Sequence, residues 1–203
     1  MARFTPTSEC QASCSHSEPA FLLLHRGETA LAVAQRVLGE APFAGALEMY
    51  SFRVLGGREA RVVVRLDKPS DRFGSPSVED LSAFTHAFDA ALEASGKAPS
   101  ELSVEVSSAG AEREVRLPRD LQRFAGLPMA VRYAPTPGAT PLTEALELVE
   151  FDAAAGTTLW KLAPVRANMA GLKKGQPMSK KMRERRVALP LDALLKVHLI
   201  LDV

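Results

Sequence analysis

Between Pro164 and Arg186 the chain holds Arg166, Lys173, Lys174, Lys180, Lys181, Arg183, Arg185 and Arg186 against a single acid, Glu184. Ammonium and guanidinium groups at this density suit phosphate oxygens, which they neutralise with release of condensed counterions. The segment carries an excess of seven positive charges; the whole chain has a net charge of +1, so the remainder carries −6. A basic segment on an acidic body is the charge distribution expected of a phosphate-binding protein. Two other readings fit the same residues: a solvated loop of like charges, or a Lys/Arg-rich targeting signal. Gly171, Gly175 and Pro177 predict an irregular first half, and Ser179 to Arg186 predict a short helix with basic residues on most faces. No aromatic residue lies inside the segment, so it cannot itself stack on bases. Trp160, just upstream, is the one candidate for stacking, but a lone Trp flanked by Leu159 and Leu162 reads better as a core anchor.

Arg113, Arg116 and Arg119 form a second basic set near the middle of the chain. They either present another edge to phosphate or pair with Glu112, Glu114 and Asp120, and the residues support both readings equally. Catalytic signatures are missing. Ser107-Ser108-Ala109-Gly110 lacks the G-x-S-x-G pattern of a nucleophile elbow. Neither glycine-rich phosphate-cradling pattern occurs, and His16, His25, His86 and His198 form no H-x-x-x-H pair. Cys10 and Cys14, with His16 nearby, fall short of the about four ligands of a structural zinc site. The expectation is therefore a protein without metal, cofactor or catalytic residues. The rest of the chain has no cysteine, which suits a reducing compartment. No apolar run approaches the roughly 20 residues of a membrane helix.

The elements that must carry these residues follow from hydrophobic spacing. Leu31, Ala34, Val37 and Leu38 predict a helix over 28–38, stopped by Gly39 and Pro42. Strands are expected over 47–54 and 61–66, joined by a turn at Gly56-Gly57. Ser77, with Asp80 three residues on, should cap a helix that runs to Ala94 and aligns Leu81, Phe84, Phe88, Ala91 and Leu92. Leu102, Val104 and Val106 alternate with polar residues, so a half-buried strand follows. It stops at Ser107-Ser108-Ala109-Gly110, where Gly110 allows a sharp turn. Further on, 118–126 predict a short helix or turn. Short strands are expected near 129–134, 144–151, 159–162 and 187–189, then a helical turn over 192–196 and a last strand over 197–201. Helix, strand, strand, helix, strand reads as a small α/β unit, and the later short strands as a small barrel.

The stretch Glu105-Val106-Ser107-Ser108, then Gly110, Glu112 and Arg113, resembles the hallmark of the ribosome maturation factor family RimP, a strand ending E-V-S-S-P-G before an acid-Arg pair. The resemblance extends to Val63-Val64-Arg65-Leu66-Asp67-Lys68, Ser77-Val78-Glu79-Asp80, Phe124-Ala125-Gly126, Leu189-Pro190-Leu191-Asp192 and Leu195-Lys196-Val197-His198-Leu199. It implies an α+β chain with an α/β domain over 21–117 and an SH3-like β-barrel over 118–203, the latter interrupted by the basic insertion 164–186. Residues 1–20 would be a disordered tail or transit remnant. Two departures stand out. Ala109 occupies the place of the family's proline, which predicts a less rigid turn. The insertion resembles that of the plant and algal plastid branch.

The family implies a non-catalytic factor that binds the free, immature small ribosomal subunit, touching rRNA and ribosomal protein near the decoding region. On that reading the contacts fall to Arg113, Arg116, Arg119 and the eight insertion cations, while Ser107, Ser108 and Gly110 build the turn. The expected protein is a monomer of the chloroplast stroma, with mitochondrion or bacterial cytoplasm as alternatives, and does not bind membranes. A different class also fits: a protein-interaction module whose SH3-like barrel takes a protein partner without RNA.

Overall fold

The structure, a computed structural model, describes residues 20–56, 60–96, 102–136, 138–169 and 176–201. The chain forms two units, Met1–Gly110 and Ala111–Val203. Both helices and sheets are present, as an α+β fold requires.

In the first unit, helix α1 (Ala20–Gly39) begins earlier than the spacing from Glu28 suggests, taking in the leucine-rich 22–24 stretch, whose residues are good helix formers. It buries Ala30, Val33, Ala34 and Val37, residues three and four apart on one face. Gly27 lets the helix approach the sheet: a Cβ there would lie 2.8 Å from Val54 Cγ2. Strand β1 (Glu48–Leu55) pairs antiparallel with β2 (Ala60–Asp67), and β2 pairs parallel with β3 (Leu102–Ser108), giving the order β1-β2-β3. The parallel connection runs through helix α2 (Val78–Ala94).

Strand alternation divides the sheet into two faces. Met49, Phe52, Val54, Val62, Val64, Leu66, Leu102, Val104 and Val106 meet the helices in one apolar core. Phe84 and Phe88 stack there at 5.7 Å, and Phe43 meets Phe84 edge-on at the same distance. The opposite face presents Ser51, Arg53 and Leu55 from β1, Arg61, Val63 and Arg65 from β2, and Ser103, Glu105 and Ser107 from β3. Helix α2 starts on the predicted capping box. Ser77 Oγ accepts from the Asp80 amide at 3.1 Å, and Asp80 Oδ2 accepts from the Ser77 amide at 2.9 Å.

The second unit is one antiparallel sheet. Its strands are β4 (Pro128–Tyr133), β5 (Leu142–Asp152), β6 (Thr157–Leu162), β7 (Arg186–Pro190) and β8 (Leu194–Leu199), in the order β7-β6-β5-β4-β8. The core gathers Leu121, Phe124, Met129, Val131, Leu146, Trp160 and Val197, all fully buried. Residues 117–126 form successive hydrogen-bonded turns. At the C-terminal end the expected helical turn over 192–196 is corrected. A single 3-10 turn, Leu191–Ala193, precedes β8, which starts at Leu194 because Leu194 pairs with Tyr133 and is buried. No described helix is long and apolar enough to cross a membrane.

Candidate nucleic-acid interface

The basic segment leaves β6 and returns in β7, two strands paired directly, with Lys161 opposite Arg186. Its described parts are fastened to the sheet. Val165 is buried with Ala145 and Ala163. A 3-10 turn, Arg166–Met169, places Asn168 Nδ2 where it donates to the carbonyls of Ala145 at 2.6 Å and Ala163 at 2.8 Å. Met178 is 5% exposed and forms the second apolar peg. Ser179 then caps the predicted short helix, α3 (Lys180–Glu184), accepting from the Met182 amide at 3.3 Å.

A polar tie closes the segment. Arg185 donates to both carboxylate oxygens of Glu144 on β5, at 2.7 and 3.1 Å. Tyr133 on β4 donates its hydroxyl to Glu144 Oε2 at 2.5 Å. Burial pushes the Tyr133 hydroxyl up to about 12, reinforced by the neighbouring carboxylate. Burial also works against the charge on Glu144, but the bonds from Arg185 and Tyr133 outweigh it and hold that carboxyl below its ordinary value. The hydrogen bond to Glu144 in turn raises Arg185. Arg185 is thus committed to the fold, and its charge is largely cancelled toward solvent.

The other insertion cations differ among themselves. Arg186 Nη1 donates to the carbonyls of Arg183 at 2.8 Å and Arg185 at 3.2 Å, which seals the end of α3. Lys180 faces Glu184 at 3.8 Å, a highly exposed pair of little energetic weight. Lys181 and Arg183 are exposed and make no ion pair among the described residues. Arg166 is exposed at the start of the 3-10 turn. Lys173 and Lys174 lie outside the described residues, as do Cys10, Cys14 and His16.

The second basic set needs correction. Residues 113–115 run beside β8: Leu199 N–H donates to the Arg113 carbonyl at 2.9 Å, and Val115 N–H donates to Val197 at 2.8 Å. An extended segment alternates its side chains, so Arg113 and Val115 point inward while Glu114 is exposed. Arg113 is only 2% exposed, and its guanidinium lies 5.3 Å from the Phe124 ring centre, which Arg123 approaches at 5.2 Å. It is a core residue and offers nothing to an outside phosphate. Arg116 pairs with the buried Asp120 at 2.7 Å, and Arg119 approaches the same carboxylate at 3.8 Å. Of the proposed acids, Glu114 lies 3.4 Å from Lys196. Only Arg119 of the three keeps an exposed side chain.

Trp160 cannot stack on a base. It is fully buried, and its indole N–H donates to Thr158 Oγ1 at 2.7 Å, while Thr158 donates to the Leu189 carbonyl at 2.8 Å. The residues that sequence reasoning missed are the anchors Tyr133, Glu144, Asn168 and Met178. Met178, an isolated apolar residue amid polar and basic ones, was the one local signal of attachment. Among the described residues, no three His, Cys, Asp or Glu side chains gather as a metal-binding group.

The turn after β3 is built as its residues require. Gly110 has a φ of +84°, the left-handed region that favours glycine. Ala109 is buried, and its N–H donates to the Leu66 carbonyl at 3.1 Å, extending the β2–β3 pairing by one bond.

A family model described as a domain of unknown function (DUF7912) matches residues 114–200. Two relatives, from two strains of Leptospira biflexa serovar Patoc, both carry the name ribosome maturation factor RimP. Each is 29% identical to this chain over 159 residues, covering 77% of this chain and 88% of the relative. The aligned span is too long to lie within the second unit alone. With the turn motif, the capping box and the order of elements all in place, the chain is similar to ribosome maturation factors named RimP along most of its length.

Proposed function

We propose that this protein is a ribosome maturation factor that binds the free small subunit late in its assembly and performs no chemistry of its own. The observation that carries the reading is the match along most of the chain to proteins named ribosome maturation factor. The anchored basic segment supports it physically. Lys181 and Arg183 stand on a short helix held by Ser179, Met178 and Arg185, so cations that form no ion pair among the described residues are presented from a fixed base. Arg166, Lys180 and Arg119 add exposed charge. A factor of this kind works by mass action: binding one rRNA conformation more tightly than its competitors shifts the population toward it. The compartment in this reading is the chloroplast stroma, supported by the insertion 164–186. Its partners are rRNA and ribosomal protein near the decoding region, and the five-stranded unit corresponds to the SH3-like barrel of the resemblance.

Co-sedimentation with isolated small subunits and with full ribosomes, over a salt series, tests this. Binding should favour free small subunits and fall as salt rises. Lys181→Gln with Arg183→Gln should lower the slope of log affinity against log salt by about two. Absence of binding to any ribosomal particle at low salt would refute the reading.

A further inference from the structure

The open face of the three-stranded sheet in the first unit has no role in the reading above. Its position is unusual. Parallel strand pairs are normally covered on both faces, yet β2 and β3 are covered on one face and carry exposed charge on the other. That face holds Arg53, Arg61 and Arg65 with one exposed acid, Glu105, while Asp67 is buried and Glu48 half-buried at its far end. Cross-strand register sets their pattern. Arg53 lies opposite Val63, so it is the diagonal neighbour of both Arg61 and Arg65, at roughly 7–8 Å in backbone spacing. Arg61 and Arg65 are four residues apart on one strand, about 13 Å. Arg61 is partly engaged by Glu105 at 3.4 Å, whereas Arg53 and Arg65 are exposed and make no ion pair or hydrogen bond among the described residues. Ser51 and Ser107 flank Arg65 on the neighbouring strands, and Ser103 is opposite Arg61.

We infer that this face binds the phosphate backbone of double-stranded RNA. Three guanidinium groups with serine hydroxyls beside them are donors matched to phosphate oxygens, and arginine binds phosphate with two parallel bonds. Its one aromatic candidate, Tyr50, is half-buried at the bulge of β1, so the face lacks the succession of exposed rings that single strands stack on. A duplex offers backbone and shape instead. Among its described residues, Leu55, Val63 and the half-buried Tyr50 supply little apolar surface for the buried anchors that centre a protein interface. The inference rests on the ribosomal reading only for the source of the RNA.

The test uses the full chain and two probes, a fluorescent RNA duplex of about 16 base pairs and isolated small subunits. Arg53→Gln with Arg65→Gln should weaken duplex binding on the order of tenfold at low salt and reduce its salt slope by about two. Glu105→Gln releases Arg61 and should tighten binding a few-fold, a gain that misfolding cannot produce. Loss in the double variant without gain in Glu105→Gln would overturn the assignment. So would unchanged duplex binding accompanied by weaker subunit binding, which would make the face a site for ribosomal protein. If subunits bind the wild type and both variants alike, this inference falls and the proposed function stands. If the duplex responds as expected while subunits never bind, the inference stands and the proposed function falls.

Discussion

At the scale of single residues, Ala109 shows how a departure from a family motif is absorbed. The motif's proline would fix φ but has no N–H. Ala109 instead donates to Leu66 from a buried position. Loss of proline's restraint is therefore offset by an added hydrogen bond, and restoring the proline should not stabilise this chain. Ala109→Pro is expected to cost about 1–2 kcal/mol through the orphaned Leu66 carbonyl, measured by urea denaturation; equal or greater stability would contradict the bonding described. Tyr133 and Glu144 make a second test, in pH. The Tyr133 hydroxyl is raised, so its contribution is full below the unfolded value of about 10 and is lost as pH rises through about 12. Glu144 is lowered, so its contribution is present above the ordinary carboxylate value and is lost as pH falls through its depressed one. Alkaline difference absorbance should show one tyrosine ionising near 12, absent in Tyr133→Phe. Ionisation of Tyr133 near 10 would show that the hydroxyl does not face the carboxylate.

Among the elements, helix α2 was the most legible, because its signals are local. Ser77 and Asp80 lie three apart, and Phe84, Phe88 and Leu92 repeat every four residues and are buried. Lys68 reinforces the cap from the preceding loop, 2.6 Å from Asp80 Oδ2. That bond first, and the Ser77 amide second, hold the Asp80 carboxyl below its usual range. Ser77→Ala should destabilise the first unit by about 1 kcal/mol, seen as a lower thermal midpoint; an unchanged midpoint would mean that the cap is dispensable. What could not be read locally was pairing across the chain. The inward turn of Arg113 depends on its segment lying beside β8, and the capture of Arg185 depends on Glu144, 41 residues away. Composition revealed which residues were basic. Only tertiary structure separates cations that serve the fold, such as Arg113 and Arg185, from those presented to solvent, such as Lys181 and Arg183.

For the molecule as a whole, net charge conceals the organisation. A value of +1 combines a strongly basic segment with an acidic remainder, and within that remainder one sheet face is again basic. The basic segment joins β6 to β7, whose direct pairing sets its two ends on adjacent strands. The closure entropy of such a loop grows only with the logarithm of its length, about 0.6 kcal/mol for each doubling. Residues added or removed there leave the register of β6 and β7 untouched. The number of solvent-presented cations in the segment, Arg185 set apart, is therefore open to change under selection for binding strength, almost independently of the stability of the sheet that carries it.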